Sequence, residues 1–282
     1  MRAHGVVGEV PAAGPADHLC WVYEDGPEFD EAVAQFSAGG LDRGERLLLV
    51  GECIVDSLHS QRDDVDALIA RGALETRTLD GAYDSTTEFA PDRQLAFYEA
   101  EIRRAHADGF TGLRVVAEVS ALADDEHRPA LVRWEHLADD FAASGSGFSA
   151  MCAYRAELGS EALTDVATVH PLVHSHDGVP PFRVFVDDDR IALAGSIDTF
   201  GSGRLSRVLA TSSVRPPTAV LDLGAVDFVD VAACRTLAGW ARGLAERSIA
   251  LEVVGASALT RRMWHVLGLD SVAAVRFRDQ AA

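Results

Sequence analysis

Two kinds of hydrophobic spacing alternate along this chain, and the alternation limits its fold more than any other feature. Glu45-Arg46-Leu47-Leu48-Leu49-Val50-Gly51 and Gly112-Leu113-Arg114-Val115-Val116-Ala117-Glu118 are short, nearly continuous apolar runs, which suit strands buried on both faces. Helical stripes lie around them. Phe29, Ala32, Val33 and Phe36 recur at helical spacing, with a stop expected near Gly39-Gly40. Two short helices are expected over 54–61 and 63–71, then a weaker strand over 74–79. Pro91 opens a helix with Leu95, Tyr98 and Ile102 on one stripe, and Leu131, Trp134, Leu137 and Phe141 mark another before a strand from Phe148 to Ala153. Strand and helix in alternation predict an α/β fold with a mostly parallel sheet and helices on both faces. Such sheets bind ligands beyond the carboxyl ends of their strands.

The pattern changes after residue 173. His174-Ser175-His176-Asp177-Gly178-Val179-Pro180-Pro181 is polar and then rich in Gly and Pro, and is expected to be a linker over 174–181. Beyond it, residues 182–186 and 190–194 flank Asp187-Asp188-Asp189 as a hairpin. Three helix–strand units follow, the last helix spanning 258–267 with Leu259, Met263 and Val266 inward. The expected layout is a tail over 1–16 without fixed structure, a first domain over 17–173 and a second over 182–279. The 282 residues are enough for two cores.

Charge divides at the same place. Residues 1–181 hold 33 acidic and 13 basic side chains, whereas 182–282 hold 11 and 12. All 25 basic residues are Arg. An acidic first half excludes nucleic acid as the expected partner, because phosphate binding needs a cationic face. No apolar run is long enough to span a bilayer, and no signal peptide is evident, so a cytoplasmic location is expected. Cys20, Cys53, Cys152 and Cys234 are few and widely spaced, which suits reduced thiols more than disulfides.

In the second half, Leu193-Ala194-Gly195-Ser196-Ile197-Asp198 is similar to the L-x-G-E-[IL]-D opening of STAS domains, the anti-sigma factor antagonist family. Val220-Leu221-Asp222-Leu223-Gly224-Ala225-Val226-Asp227-Phe228-Val229-Asp230 resembles that family's central strand and the loop to its second helix. In the antagonists the pattern continues D-S-[ST]-G, and the second hydroxyl residue is phosphorylated. Asp230 matches the Asp, but Val231 and Ala232 stand at the hydroxyl positions and Ala233 at the Gly. Neither Val nor Ala accepts a phosphoryl group. The resemblance therefore implies a partner-binding surface around Asp198, Asp230, Val231 and Ala232 that lacks the charge switch. Asp230 is also readable as a plain helix N-cap, and both readings can hold.

In the first half, Asp17-His18-Leu19-Cys20-Trp21-Val22-Tyr23 resembles the H-x-C-x-x-Y opening of the MEDS domain, a sensory domain of methanogen and methylotroph regulators and of many actinobacterial proteins. The runs at 44–51 and 112–118, then Trp134-Glu135, Met151-Cys152-Ala153-Tyr154 and His170-Pro171, continue the match in order. The resemblance implies a relative of the RecA/KaiC-type ATPases. A working phosphate loop reads G-x-x-x-x-G-K-[ST]. Here Gly51 is followed by Glu52-Cys53-Ile54-Val55-Asp56-Ser57, with no second Gly and no Lys, so ATP hydrolysis is not expected.

The implied small-molecule pocket would use His18, Cys20, Tyr23, Glu118, Cys152 and His170. Bland alternatives stay open: Glu118 as a cap, Cys53 and Cys152 as small core residues, Trp21 and Tyr23 packing the sheet edge. Only His18-x-Cys20 has close metal-ligand spacing, so no metal and no cofactor are expected. The expected function is a non-catalytic regulatory protein for signal transduction and transcription. A sensor controls a docking domain whose partner is an anti-sigma factor or a histidine-kinase-like ATPase, with homo-oligomerisation open. The alternative is a nucleotide- or small-molecule-binding enzyme using the first domain's crevice.

Overall fold

The structure is a computed structural model that describes residues 2–51, 54–83, 89–176 and 178–278. The chain divides into two compact units, one of Ala3–Val179 and one that comprises Arg2 and the chain from Pro180 onward.

The first unit holds seven strands: β1 (Gly5–Val6), β2 (His18–Tyr23), β3 (Arg46–Val50), β4 (Leu74–Arg77), β5 (Leu113–Glu118), β6 (Phe148–Arg155) and β7 (Leu172–His174). They pair in the order β1-β7-β2-β6-β5-β3-β4, and every pairing is parallel. The continuous apolar runs are explained by two cores, since successive side chains of a strand face opposite sides. Leu47 and Leu49 of β3 join Leu19, Trp21, Phe29 and Phe36 on one face, beneath α1 (Gly26–Asp42) and α2 (Ile54–Gln61). Leu48 and Val50 join Cys20, Val115, Tyr98 and Trp134 on the other, beneath α5 (Pro91–Ala107) and α6 (Arg128–Ala143). The remaining helices of this unit are α3 (Val65–Ala70), α4 (Leu79–Tyr83) and α7 (Ser160–Ala167).

Two expectations for this unit fail for one physical reason. Helix α1 does not stop at Gly39-Gly40 but runs to Asp42. A Cβ on Gly40 would lie 2.5 Å from Arg114 Cδ, and one on Gly39 2.6 Å from Ala13 Cβ. These glycines admit close neighbours; they do not end the helix. Arg114, buried in β5, bonds Glu45 Oε2 at 2.5 Å, Asp17 Oδ2 at 3.2 Å and the Gly14 carbonyl at 3.0 Å. The N-terminal stretch is thereby fixed, and Gly5–Val6 pairs with β7 where a tail without structure is expected. The expected linker also begins too early, because His174 is a buried residue of β7 stacked on Trp21 at 3.7 Å.

The second unit opens with an antiparallel hairpin, β8 (Phe182–Asp187) and β9 (Arg190–Ile197). Strands β10 (Thr218–Val229), β11 (Ala250–Val254) and β12 (Val275–Arg278) follow in parallel, giving the order β12-β11-β10-β9-β8. Helices α8 (Ser202–Thr211), α9 (Val231–Glu246) and α10 (Ala258–Val266) connect them. The loop expected between the central strand and the next helix is instead a continuation of β10 through two register shifts to Val229. The stripe expected inward on α10 is inverted. Thr260 and Trp264 are buried, with Trp264 against Phe277, while Leu259 is 62% and Val266 73% exposed.

Candidate functional site

Strand β2 carries the first sequence motif, and its pleat divides the expected ligand set in two. His18 and Cys20 point to one face of the sheet with Val22, whereas Trp21 and Tyr23 point to the other. The six residues grouped by sequence therefore form two places.

The first place is a closed polar cluster near the amino end of β2. Glu135 on α6 accepts from Tyr154 Oη (2.8 Å) at one oxygen, and from Cys152 Sγ (3.1 Å) and His18 Nε2 (3.3 Å) at the other. His18 Nδ1 lies 3.2 Å from Asp139 Oδ1, one turn further along α6. His170, between α7 and β7, stacks on His18 with ring centroids 4.1 Å apart. Its Nδ1 faces the Val166 carbonyl at 2.8 Å, and a carbonyl only accepts, so Nδ1 carries the hydrogen. His170 Nε2 has no hydrogen-bond partner and stands 3.5 Å from Glu135 Oε2. All these residues are buried.

The electrostatics follow from that closure. Burial opposes ionisation of Glu135, but the imidazoles of His170 and His18 outweigh it and hold its carboxyl well below the usual range. Burial would lower His18, yet its bonds to Asp139 and Glu135 raise it. His170 is lowered by burial and then by the charge of His18. Neighbouring His136 is pushed down to about 4, again by burial first. Burial and the nearby Glu135 carboxylate drive the Cys152 and Cys20 thiols up. One ligand atom each from His18, Glu135, Cys152 and His170 lies within 4.8 Å of the other three, and these are donor types that zinc takes.

The second place is the crevice at the carboxyl edge. Tyr23 Oη donates to Glu118 Oε1 at 3.3 Å and accepts from Arg155 Nε at 3.2 Å. Burial, then the Glu118 charge, raises the Tyr23 hydroxyl. Gly51 has φ +133°, and a Cβ there would come 3.1 Å from Glu118 Cβ, so this turn needs glycine. Tyr23, Asp25, Phe29, Ser57, Glu118 and Arg155 help line an open cleft of about 370 Å³.

Of the expected ligand residues, His18, Cys152 and His170 thus meet in the closed cluster. Tyr23 and Glu118 meet in the crevice. Cys20 is buried beside Cys152 as its register partner. Cys53 lies outside the described residues. Glu135, Asp139 and Tyr154 were not among the expected site residues. The available signal was a pair of carboxylates four residues apart on the buried side of α6, between Leu131 and Ala142. A third grouping, Glu28, His174 and His176, offers less. His176 Nε2 is 2.7 Å from Glu28 Oε1, but His174 Nδ1 is engaged with the Val22 carbonyl at 3.2 Å.

In the second unit, Asp230 caps α9, accepting from Ala233 N at 2.8 Å and from Thr199 Oγ1 at 2.8 Å. Asp198 accepts from the amides of Phe200 and Gly201, both at 3.0 Å, just before α8. The two carboxylates and the start of α9 therefore sit together through Thr199. Val231 is exposed, as are Phe228 at 50% and Phe200 at 94%. Residues 17–171 match a family model described as the MEDS, methanogen/methylotroph, DcmR sensory domain, and residues 185–276 match one described as Mlab, STAS domain. No curated protein matches the chain.

Proposed function

The chain belongs to the MEDS family of sensory domains, here followed by a STAS domain, and from that premise we propose a two-part regulator whose first unit receives an input and whose second docks onto a protein. The docking surface has no phosphorylation switch. The observation that carries this reading is the first turn of α9, where Asp230 holds the cap and Val231 and Ala232 present no hydroxyl. The hydroxyl of Thr199, beside that cap, already donates to Asp230.

The chemistry of the surface supports docking. Phe200, Phe228 and Val231 are exposed apolar side chains around an otherwise polar turn, and fully exposed aromatics are frequent anchors of interfaces. A partner that buries them need not neutralise a phosphate. The expected partner class is an anti-sigma factor or a histidine-kinase-like ATPase, and the input is a small molecule held where Tyr23, Glu118 and Arg155 meet.

Calorimetry with the full chain and a purified partner of that class tests the reading. Affinity should be the same with and without prior incubation with ATP and a serine kinase. Ala232→Glu should weaken it at least about ten-fold, roughly 1.4 kcal/mol. Ala232→Ser should gain phosphate acceptance. Phosphate on the wild-type chain at Ser196 or Thr236, or full affinity in Ala232→Glu, would remove the basis for the proposal.

A further inference from the structure

We infer that His18, Glu135, Cys152 and His170 form a closed four-coordinate site for a divalent transition-metal ion, with zinc the ion that suits the donors best. This goes beyond the regulatory reading and stands on the cluster's geometry alone.

Donor type is the first argument. Two imidazoles, a thiol and a carboxylate select zinc-like ions over calcium or magnesium, which prefer oxygen alone. Spacing is the second. Bonds of about 2.0–2.3 Å arranged tetrahedrally put ligand atoms roughly 3.3–3.8 Å apart. The separations are 3.3 Å for His18 Nε2 to Glu135 Oε2, 3.7 Å for His18 Nε2 to Cys152 Sγ, 3.5 Å for His170 Nε2 to Glu135 Oε2 and 3.1 Å for Cys152 Sγ to Glu135 Oε2. Three fit directly, and the shortest opens by a few tenths of an ångström when an ion replaces the S–H hydrogen.

The third argument is the shell behind the ligands. Metal-bound histidines present one ring nitrogen and donate the other N–H to a carboxylate or a carbonyl. His18 meets Asp139 in that way and His170 meets Val166 O, while Tyr154 Oη steadies the second oxygen of Glu135. The fourth is His170 Nε2 itself. It is fully buried and stands 3.5 Å from a carboxylate oxygen without a hydrogen bond. A cation between the two atoms would bond both and satisfy the orphaned nitrogen. On loading, Cys152 loses its S–H proton and His18 its Nε2 proton, both to solvent. Thiolate and carboxylate then balance the ion's two charges. Because all four ligands are side chains of the protein and all are buried, the site is structural, with no open position for substrate.

The test uses the full chain, purified without chelator, and the metal alone. Elemental analysis should find about one zinc per chain, as a single structural site requires. After chelation, Co²⁺ should restore a one-to-one complex with intense visible bands of four-coordinate cobalt and a near-ultraviolet sulfur-to-cobalt charge-transfer band. Cys20→Ser should keep that band and Cys152→Ser should lose it. His170→Gln should weaken cobalt binding at least about ten-fold. The wild-type spectrum decides the matter even if the Cys152 variant does not fold. Less than a tenth of an ion per chain together with no cobalt spectrum, cobalt bands without sulfur character, or a sulfur band that survives Cys152→Ser would each overturn the site.

Discussion

The two units place their unusual side chains in opposite environments. In the first, charged and ionisable groups sit inside the core: Glu135, Asp139, His18 and His170 are all buried around one point. In the second, apolar groups sit outside it: Phe200, Phe228, Leu259 and Val266 face solvent. Each arrangement costs free energy by itself, one through desolvation and the other through unburied apolar surface. The buried cluster is held by partners within the chain, so its disruption is felt as lost stability. The exposed side chains pack against no core among the described residues, so removing them should cost little stability.

The largest test of that contrast is Glu135→Ala. It removes the acceptor shared by Tyr154, Cys152 and His18, and should cost about 3–5 kcal/mol in urea denaturation of the full chain, the range for breaking a buried charge pair. A cost below about 1 kcal/mol would mean that the cluster is slack, and the contrast would collapse. Next comes Arg114→Met, which takes the buried guanidinium away from Glu45 and Asp17 and leaves them Arg43 and the Gly14 amide; it should cost about 2 kcal/mol. Hydrogen exchange should also quicken at Gly5 and Val7, whose amides bond to Pro171 and Val173. Unchanged exchange there would show that another contact fixes the N-terminal strand.

In the second unit the effects should be smaller. Asp230→Ala should cost about 1 kcal/mol at neutral pH through loss of the helix cap. Slight desolvation works against the Asp230 carboxylate, but the Ala233 amide and the Thr199 hydroxyl prevail and lower its pKa. A lowered carboxylate stabilises the fold above its ordinary titration range and stops doing so as pH falls through the lowered value. The gap between wild type and Asp230→Ala should therefore close below about pH 4 in denaturation curves, and a gap that persisted there would reassign the cap to something uncharged. Smallest of all, Phe200→Ala should change stability by less than about 0.5 kcal/mol while lowering partner affinity markedly. Loss of stability with full affinity would reverse the roles given to the two units.

Much of the fold is legible from periodicity because a two-sided sheet writes itself as nearly continuous apolar runs, as in Leu47–Val50 and, but for Arg114, Leu113–Ala117. Errors arise where a residue's role depends on a distant neighbour. Gly39 and Gly40 read as a helix stop until Ala13 and Arg114 are placed against them. Leu259 and Val266 look inward until Trp264 claims the core side of α10. The site shows the same limit. His18, Cys152 and His170 are visible from family motifs, but the motifs do not say that Tyr23 and Glu118 belong elsewhere. Asp139 is hidden, and Glu135 is passed over although it stands in a family motif, because a carboxylate in a helix is ordinarily counted as solvent-facing, and only the packed position of α6 shows otherwise.

Six residues of β2 join the two places in the first unit. His18 stands at one end and Tyr23 at the other, about 17 Å apart in extended chain, and the whole length is zipped in parallel register to β6. A rod held in this way slides as a unit or not at all. An axial shift at the imidazole end would therefore be felt at the phenol end as well.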